Sequence, residues 1–263
     1  MNGQLELINK MRNISLPDWK EKDSDRYIYR YYYNNGWFAK GAALGLYYMM
    51  RIYQPKRIIE IGSGFSTAVM LDTNENYLNN QVEIYCIEPR ADRLRSIVKE
   101  KDNIKINECD LQNIAMDIFD QLEENDFLFI DSSHVGKTGS DVNIEIFEIL
   151  PRLKSGVIIH FHDMHWPFEY DREWIIEGRA YNELFYIRAL LMGNKNYKIL
   201  LFGAQVKALC ETDYSMGEIG DKSLWIQKSD LYSSSGEIAE LKNKINILEK
   251  EKEALMLSLS LFS

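Results

Sequence analysis

All four histidines of this chain fall between His134 and His165, and three of them sit in two short acidic motifs. One motif is Ile130-Asp131-Ser132-Ser133-His134, the other His160-Phe161-His162-Asp163. Imidazole beside carboxylate can move a proton or hold a divalent metal. Each motif follows an apolar run that reads as a buried strand. Two such strands side by side in a parallel sheet would bring Asp131, His134, His162 and Asp163 to one edge.

The rest of the chain supplies such a sheet. Arg57 to Ile61 reads as a first strand, with a glycine turn and a helix from about Ser66 behind it. Val82 to Ile87, Ile104 to Asn107, Phe127 to Ile130 and Val157 to Phe161 read as four more strands. Helices are expected before the first strand (about Trp37 to Tyr53, stopped by Pro55) and over 91–101 and 140–153. A longer one is expected over Arg172 to Met192, then a closing strand pair at Lys198–Phe202 and Ser223–Gln227. Nearly continuous apolar strands alternating with helices predict an α/β fold, a mostly parallel sheet with helices on both faces. Ligands of such sheets bind beyond the carboxyl ends of the strands, where the histidine motifs lie.

Composition narrows the function. The chain has 263 residues, 46% of them hydrophobic, so a sizeable core is possible. A formal charge of −9 disfavours sequence-independent nucleic-acid binding. Three well-separated cysteines (Cys86, Cys109, Cys210) make neither a disulfide framework nor a zinc motif, which fits a reducing cytoplasmic setting. No signal peptide is visible, and no apolar run approaches the ~20 residues of a membrane span.

The turn Glu60-Ile61-Gly62-Ser63-Gly64 lets backbone approach a ligand closely. A dinucleotide fingerprint would place a third glycine at position 67, where Thr67 stands. Glu60 suits a cationic ligand better than a diphosphate. Glu88, ending the second strand, can accept two ribose hydroxyls, as in both NAD and S-adenosylmethionine sites.

These motifs together resemble the first two motifs of class I S-adenosylmethionine-dependent methyltransferases. Leu150-Pro151-Arg152-Leu153-Lys154-Ser155-Gly156 is similar to their helix-to-strand-five junction. The histidine motifs resemble a bacterial subgroup containing macrocin-type sugar O-methyltransferases and relatives labelled cephalosporin hydroxylases. The resemblance runs from about Trp37 to Lys228 and implies a Rossmann-like sheet of seven strands. It implies that Glu60, Gly62, Ser63, Gly64, Glu88 and Asp131 bind S-adenosylmethionine, with Asp110 or Gln112 facing the adenine. It further implies a divalent metal, magnesium or manganese, on Asp131, His162 and Asp163, with His134 as general base. The activity implied is metal-assisted O-methyl transfer to a sugar or glycan hydroxyl.

Other roles remain open for several of these residues. Asp131 could cap the next segment, His160 reads as a core histidine, and His165 as a loop residue or a substrate contact. Asp141 and Asn143 could cap the helix that follows them, and the aromatic residues near Trp37 could pack or stack on a sugar. Two rival functions are carried. One is a non-haem iron hydroxylase using His134, His162 and Asp163; the other is a methyltransferase-fold scaffold for glycan assembly. Residues 1–36 are expected to form an N-terminal segment covering substrate or cofactor, and 37–230 the main domain. After the linker Ser233-Ser234-Ser235-Gly236, Ile238, Leu241, Ile245, Leu248, Leu255, Leu259 and Phe262 of residues 236–263 keep a 3,4 alternation broken only by Lys252. That seam predicts a coiled coil, serving a homo-oligomer or a coiled-coil partner.

Overall fold

The structure is a computed structural model that describes residues 1–22, 28–209, 219 and 221–229. The expected coiled coil and Cys210 lie outside the described residues. Seven strands form one sheet: β1 Arg57–Ile61, β2 Glu83–Ile87, β3 Ile104–Asn107, β4 Phe127–Ile130, β5 Ile158–Phe161, β6 Tyr197–Phe202 and β7 Leu224–Lys228. Their order is β3-β2-β1-β4-β5-β7-β6. Only β7 runs against its neighbours; the β1, β2, β3, β4 and β5 pairings are parallel. The register sets Ile61 beside both Ile87 and Ile130, and Ile130 beside Phe161. The glycine turn, Glu88 and the two histidine motifs therefore leave the sheet at one edge. The order reverses between β1 and β4, and that is where a crevice opens in such sheets.

The strands are apolar because both faces are covered. Ile58, Phe127, Phe129, Ile158 and Trp225 point into one core, with α2 (Lys40–Tyr53) and α3 (Phe65–Tyr77) above them. Ile59, Ile61, Leu128, Ile130, Ile159 and Phe161 point into the other. There they meet Val142 of α5 (Asp141–Ile144), Leu150 of α6 (Leu150–Arg152) and Leu184 of α8 (Glu183–Leu191). A π-helical turn, Glu145–Ile149, joins α5 to α6.

Three features depart from the sequence expectations. First, residues 1–36 contain a helix, α1 (Asn2–Arg12), whose Leu7, Ile8 and Met11 enter the first core. Gln4 Oε1 there accepts from the Phe202 amide at 2.7 Å. A short helix, α9 (Gly203–Leu209), also follows β6. Second, the helix expected over 91–101 is only α4, Asp92–Ile97. Third, the helix expected over Arg172 to Met192 is two, α7 (Arg172–Ile176) and α8, broken where Gly178 takes a φ of +77°. No helix among the described residues is long and apolar enough to cross a membrane.

Candidate active site

A cavity of about 680 Å³ opens at this sheet edge. Gly62, Ser63, Gly64, Glu88, Asp131, His134, His162 and Asp163 all line it. A second cavity of about 390 Å³ shares Gly62, Glu88 and Asp131 and adds Asp110 and Gln112. The residues expected to hold an adenosyl group thus form two adjoining walls. Gln112 Nε2 already donates to Gly139 O at 2.8 Å.

Gly62 is required by geometry. Its φ is +78°, and a Cβ there would stand 1.8 Å from the Asp131 carbonyl oxygen. Glu88 is held in place by backbone: Ser63 N–H donates to one oxygen at 3.0 Å and Arg90 N–H to the other at 2.9 Å. Each oxygen keeps a lone pair for a ligand hydroxyl.

Glu60 is elsewhere. It is fully buried and does not line the cavity. Ser66 Oγ and Thr67 Oγ1 each donate to it at 2.5 Å, and Cys86 Sγ lies 3.3 Å away. Burial outweighs these contacts and pushes its pKa up to about 7. Thr67 in turn accepts from Gly64 N–H at 3.1 Å. Glu60 therefore shapes the turn from behind, and Thr67 fills the place of the third glycine because its hydroxyl links the two.

His134 is the best-anchored group in the cavity. Its Nδ1 lies 2.7 Å from Glu183 Oε2, a fully buried carboxylate. Its Nε2 faces Asp131 Oδ1 at 3.4 Å and Asp163 Oδ2 at 3.9 Å. Burial alone would lower the His134 pKa, but Asp131 and Glu183 outweigh it and hold the value well above 6.5. Burial raises the Glu183 pKa. Burial would also raise that of Asp131, but the nearby His162 and His134 bring it below its ordinary value. His134 (φ +59°) and Asp163 (φ +53°) both adopt left-handed backbone, costly for residues other than glycine and concentrated at functional sites.

The other histidines separate cleanly. His160 stacks on Phe129, centroids 3.9 Å apart, and neither of its nitrogens has a hydrogen-bond partner among the described residues. Burial keeps its pKa well below 6.5, so it is a neutral core residue. His165 is buried, 3.2 Å from Asp171, with its pKa lowered by burial, and it does not line the cavity. His162 reaches the cavity and packs on Phe38. Ser140, not Asp141 or Asn143, caps α5, accepting from Asn143 N–H. Asp141 accepts from the Ser133 amide at 2.9 Å instead.

A divalent metal does not fit this arrangement. No group of three histidine, cysteine or acidic side chains among the described residues could hold one. Asp131 and Asp163 converge on the His134 imidazole, and the nearer His162 nitrogen is 3.7 Å from Asp163. The expected metal set of Asp131, His162 and Asp163 is thus an ion-pair cluster with His134 at its centre. The iron set of His134, His162 and Asp163 is likewise not among groups that could hold a metal in the described residues.

Glu183 is the functional residue that sequence reasoning missed. It sat inside a stretch read as one helix, and only its place as the first residue of α8 signals it. Trp174, Arg179, Tyr181 and Lys222 were missed too; they form the cavity's outer wall. Tyr181 packs against His134, centroids 5.1 Å apart.

Residues 59–164 match the family model described as "Methyltransferase domain". The matched stretch runs from within β1 to just past the second histidine motif and contains the glycine turn, Glu88, Asp131, His134, His162 and Asp163. The seven-stranded, mostly parallel sheet to which it contributes is Rossmann-like. An uncharacterised protein of Archaeoglobus fulgidus is 36% identical over 122 residues, 46% of this chain and 54% of that protein. The chain thus spans about half the length of the curated relative it matches. Among solved structures, an SAH-bound methyltransferase of Podospora anserina is 18% identical, covering 88% of this chain and 89% of that one (TM-score 0.48). An O-methyltransferase of Bacillus cereus in complex with SAH is 15% identical over 88% and 91% (TM-score 0.42). Identities this low transfer no substrate to this chain.

Proposed function

We propose that the protein is an S-adenosylmethionine-dependent O-methyltransferase acting on a hydroxyl of a sugar or glycan, with His134 as base. The observation that carries this reading is the Glu183–His134 contact at 2.7 Å, in a cavity that also contains the Gly62 turn and Glu88. The cofactor supplies a methyl group already electrophilic on a sulfonium. Gly62, Ser63 and Gly64 would lie along its amino-acid part, Glu88 would accept the ribose hydroxyls, and Asp110 would border the base. The carboxylates of Glu88, Asp131 and Asp163 make this floor suitable for a cationic ligand.

The chain's own work is on the acceptor oxygen. An alcohol is barely nucleophilic at neutral pH, so its proton must leave as the new bond forms. Glu183 fixes the His134 ring and its tautomer through Nδ1, which leaves Nε2 to take that proton. Asp131 and Glu183 keep His134 protonated at rest, so it must first lose that proton. Pairing Asp131 with a cationic ligand removes one of the two groups that hold it. Tyr181, packed against His134, and Trp174 beside it line the cavity, an aromatic wall that suits a sugar ring.

Calorimetry with S-adenosylhomocysteine tests the cofactor half; no binding by folded protein would refute it. His134→Ala tests the base, and should abolish transfer at unchanged S-adenosylhomocysteine affinity. We propose that the coiled coil expected over 236–263 tethers a second copy or a partner. Removing 236–263 should change oligomeric state and leave transfer intact.

A further inference from the structure

Arg93 and Trp37 have no role in the chemistry above, yet both line the cavity. Trp37 is 65% exposed, unusual for so large an apolar side chain. The Arg93 guanidinium lies 3.5 Å from the centre of its ring. Arg93 makes no hydrogen bond or ion pair with any carboxylate among the described residues. Stacking on an indole fixes a guanidinium in a plane and leaves its N–H edge free, the geometry that binds a carboxylate through two parallel hydrogen bonds. The position is specific: Arg93 Cδ and Nη1 lie 3.6 and 3.7 Å from where a Cβ on Gly64 would stand, directly over the glycine turn. The first turn of α3 behind that turn carries no acidic residue to oppose an anion. The cavity's other cationic side chains are already paired, Arg179 with Glu177 and Lys222 with Asp171, and its carboxylates are Glu88, Asp131, Asp163 and Asp221. Glu88 is engaged by two amides, and Asp131 faces His134.

We infer that Arg93, held flat by Trp37, is a carboxylate clamp for the amino-acid end of the methyl donor. This rests on the S-adenosylmethionine reading of the same cavity, and it adds a recognition element from outside the glycine turn. Trp37 lies just before α2 and ahead of the family match, and Arg93 comes from α4, so the clamp joins two separate stretches of chain over the sheet edge.

Two ligands separate the clamp from the rest of the site. S-adenosylhomocysteine carries the carboxylate; 5′-methylthioadenosine keeps the adenosyl sulfur and lacks the amino-acid part. Both are titrated by calorimetry into wild type, Arg93→Ala, Arg93→Lys and Trp37→Leu. Arg93→Ala should weaken S-adenosylhomocysteine by roughly tenfold to hundredfold, the loss of charge-assisted hydrogen bonds, and leave methylthioadenosine unchanged. Arg93→Lys keeps the charge without the fork and should fall between; Trp37→Leu should lose a smaller part. Equal loss for both ligands would overturn the clamp. So would no loss for either, which would leave the anion to the acceptor. Wild-type protein that binds methylthioadenosine shows the adenosyl site intact whatever Arg93 does. Wild-type protein that binds neither ligand overturns the donor reading, and the clamp with it.

Discussion

Glu60→Gln separates shaping the glycine turn from touching a ligand. Glu60 is fully buried, and burial raises its pKa from 4.5 to about 7. In the unfolded chain it ionises near the ordinary value. A group raised on folding binds its proton more tightly in the native state, so stability is complete below pH 4.5 and is lost as pH rises toward 7. At about 1.4 kcal/mol per pKa unit, that shift is worth about 3 kcal/mol between pH 4.5 and 7.5. Glutamine has the shape of the protonated acid and does not ionise. Ser66 and Thr67, which donate at 2.5 Å, can rotate their hydroxyls to suit it. Urea unfolding of both proteins at pH 4.5 and pH 7.5 measures the effect. The variant should gain about 3 kcal/mol on wild type between the two, and S-adenosylhomocysteine affinity should change less than about threefold. A pH-independent difference would refute the linkage. A large affinity loss with normal stability would return Glu60 to the binding surface.

Four further outcomes follow from the geometry. Glu183→Gln removes the anion 2.7 Å from His134 and should lower the His134 pKa in an NMR titration; an unchanged value would refute the pairing. Because the proton on His134 stabilises the fold fully below about pH 6.5 and ceases to as pH rises through the raised value, the variant should also lose that stability at lower pH. Gly62→Ala places a Cβ 1.8 Å from the Asp131 carbonyl oxygen and should cost more than about 1 kcal/mol in urea unfolding, with S-adenosylhomocysteine binding lost; wild-type behaviour would disprove the close approach. His160→Phe removes two partnerless buried nitrogens and should raise stability by about 1 kcal/mol with transfer intact, whereas lost transfer would make His160 a working group. Chelator should leave transfer unchanged, and a loss of more than about fivefold that manganese or magnesium restores would restore the metal role.

The sequence carried most of the sheet, because buried parallel strands must be continuously apolar. Phe127-Leu128-Phe129-Ile130 and Ile158-Ile159-His160-Phe161 stand out for that reason, and their carboxyl ends carry the chemistry. Gly62 was legible because its backbone has no substitute. Glu60 was misread because a carboxylate in a strand looks the same whether it faces a ligand or three donors behind the turn. α1 was missed because its apolar face is only Leu7, Ile8 and Met11 among polar neighbours, and it is fixed by long-range contacts such as Gln4 with Phe202.

The broken helix over Arg172 to Met192 shows why the rest could not be read locally. Helical periodicity scores the stretch as one element, yet the site depends on its interruption. Asn182 N–H and Glu183 N–H both donate to His134 O, at 2.9 and 3.2 Å. These donors exist because the first amides of a helix have no partner within it. Had the helix run on from Ile176, they would be spent on carbonyls one turn back. The left-handed His134 turns its carbonyl toward those amides and its ring toward Glu183 at once. Asn182 Oδ1 takes the Gly136 amide at 2.5 Å, closing the loop on the same helix start. One break in one helix thus provides the backbone anchor, the loop tie and the carboxylate that orients the base. His134 and Glu183 lie 49 positions apart, so neither motif could announce the other.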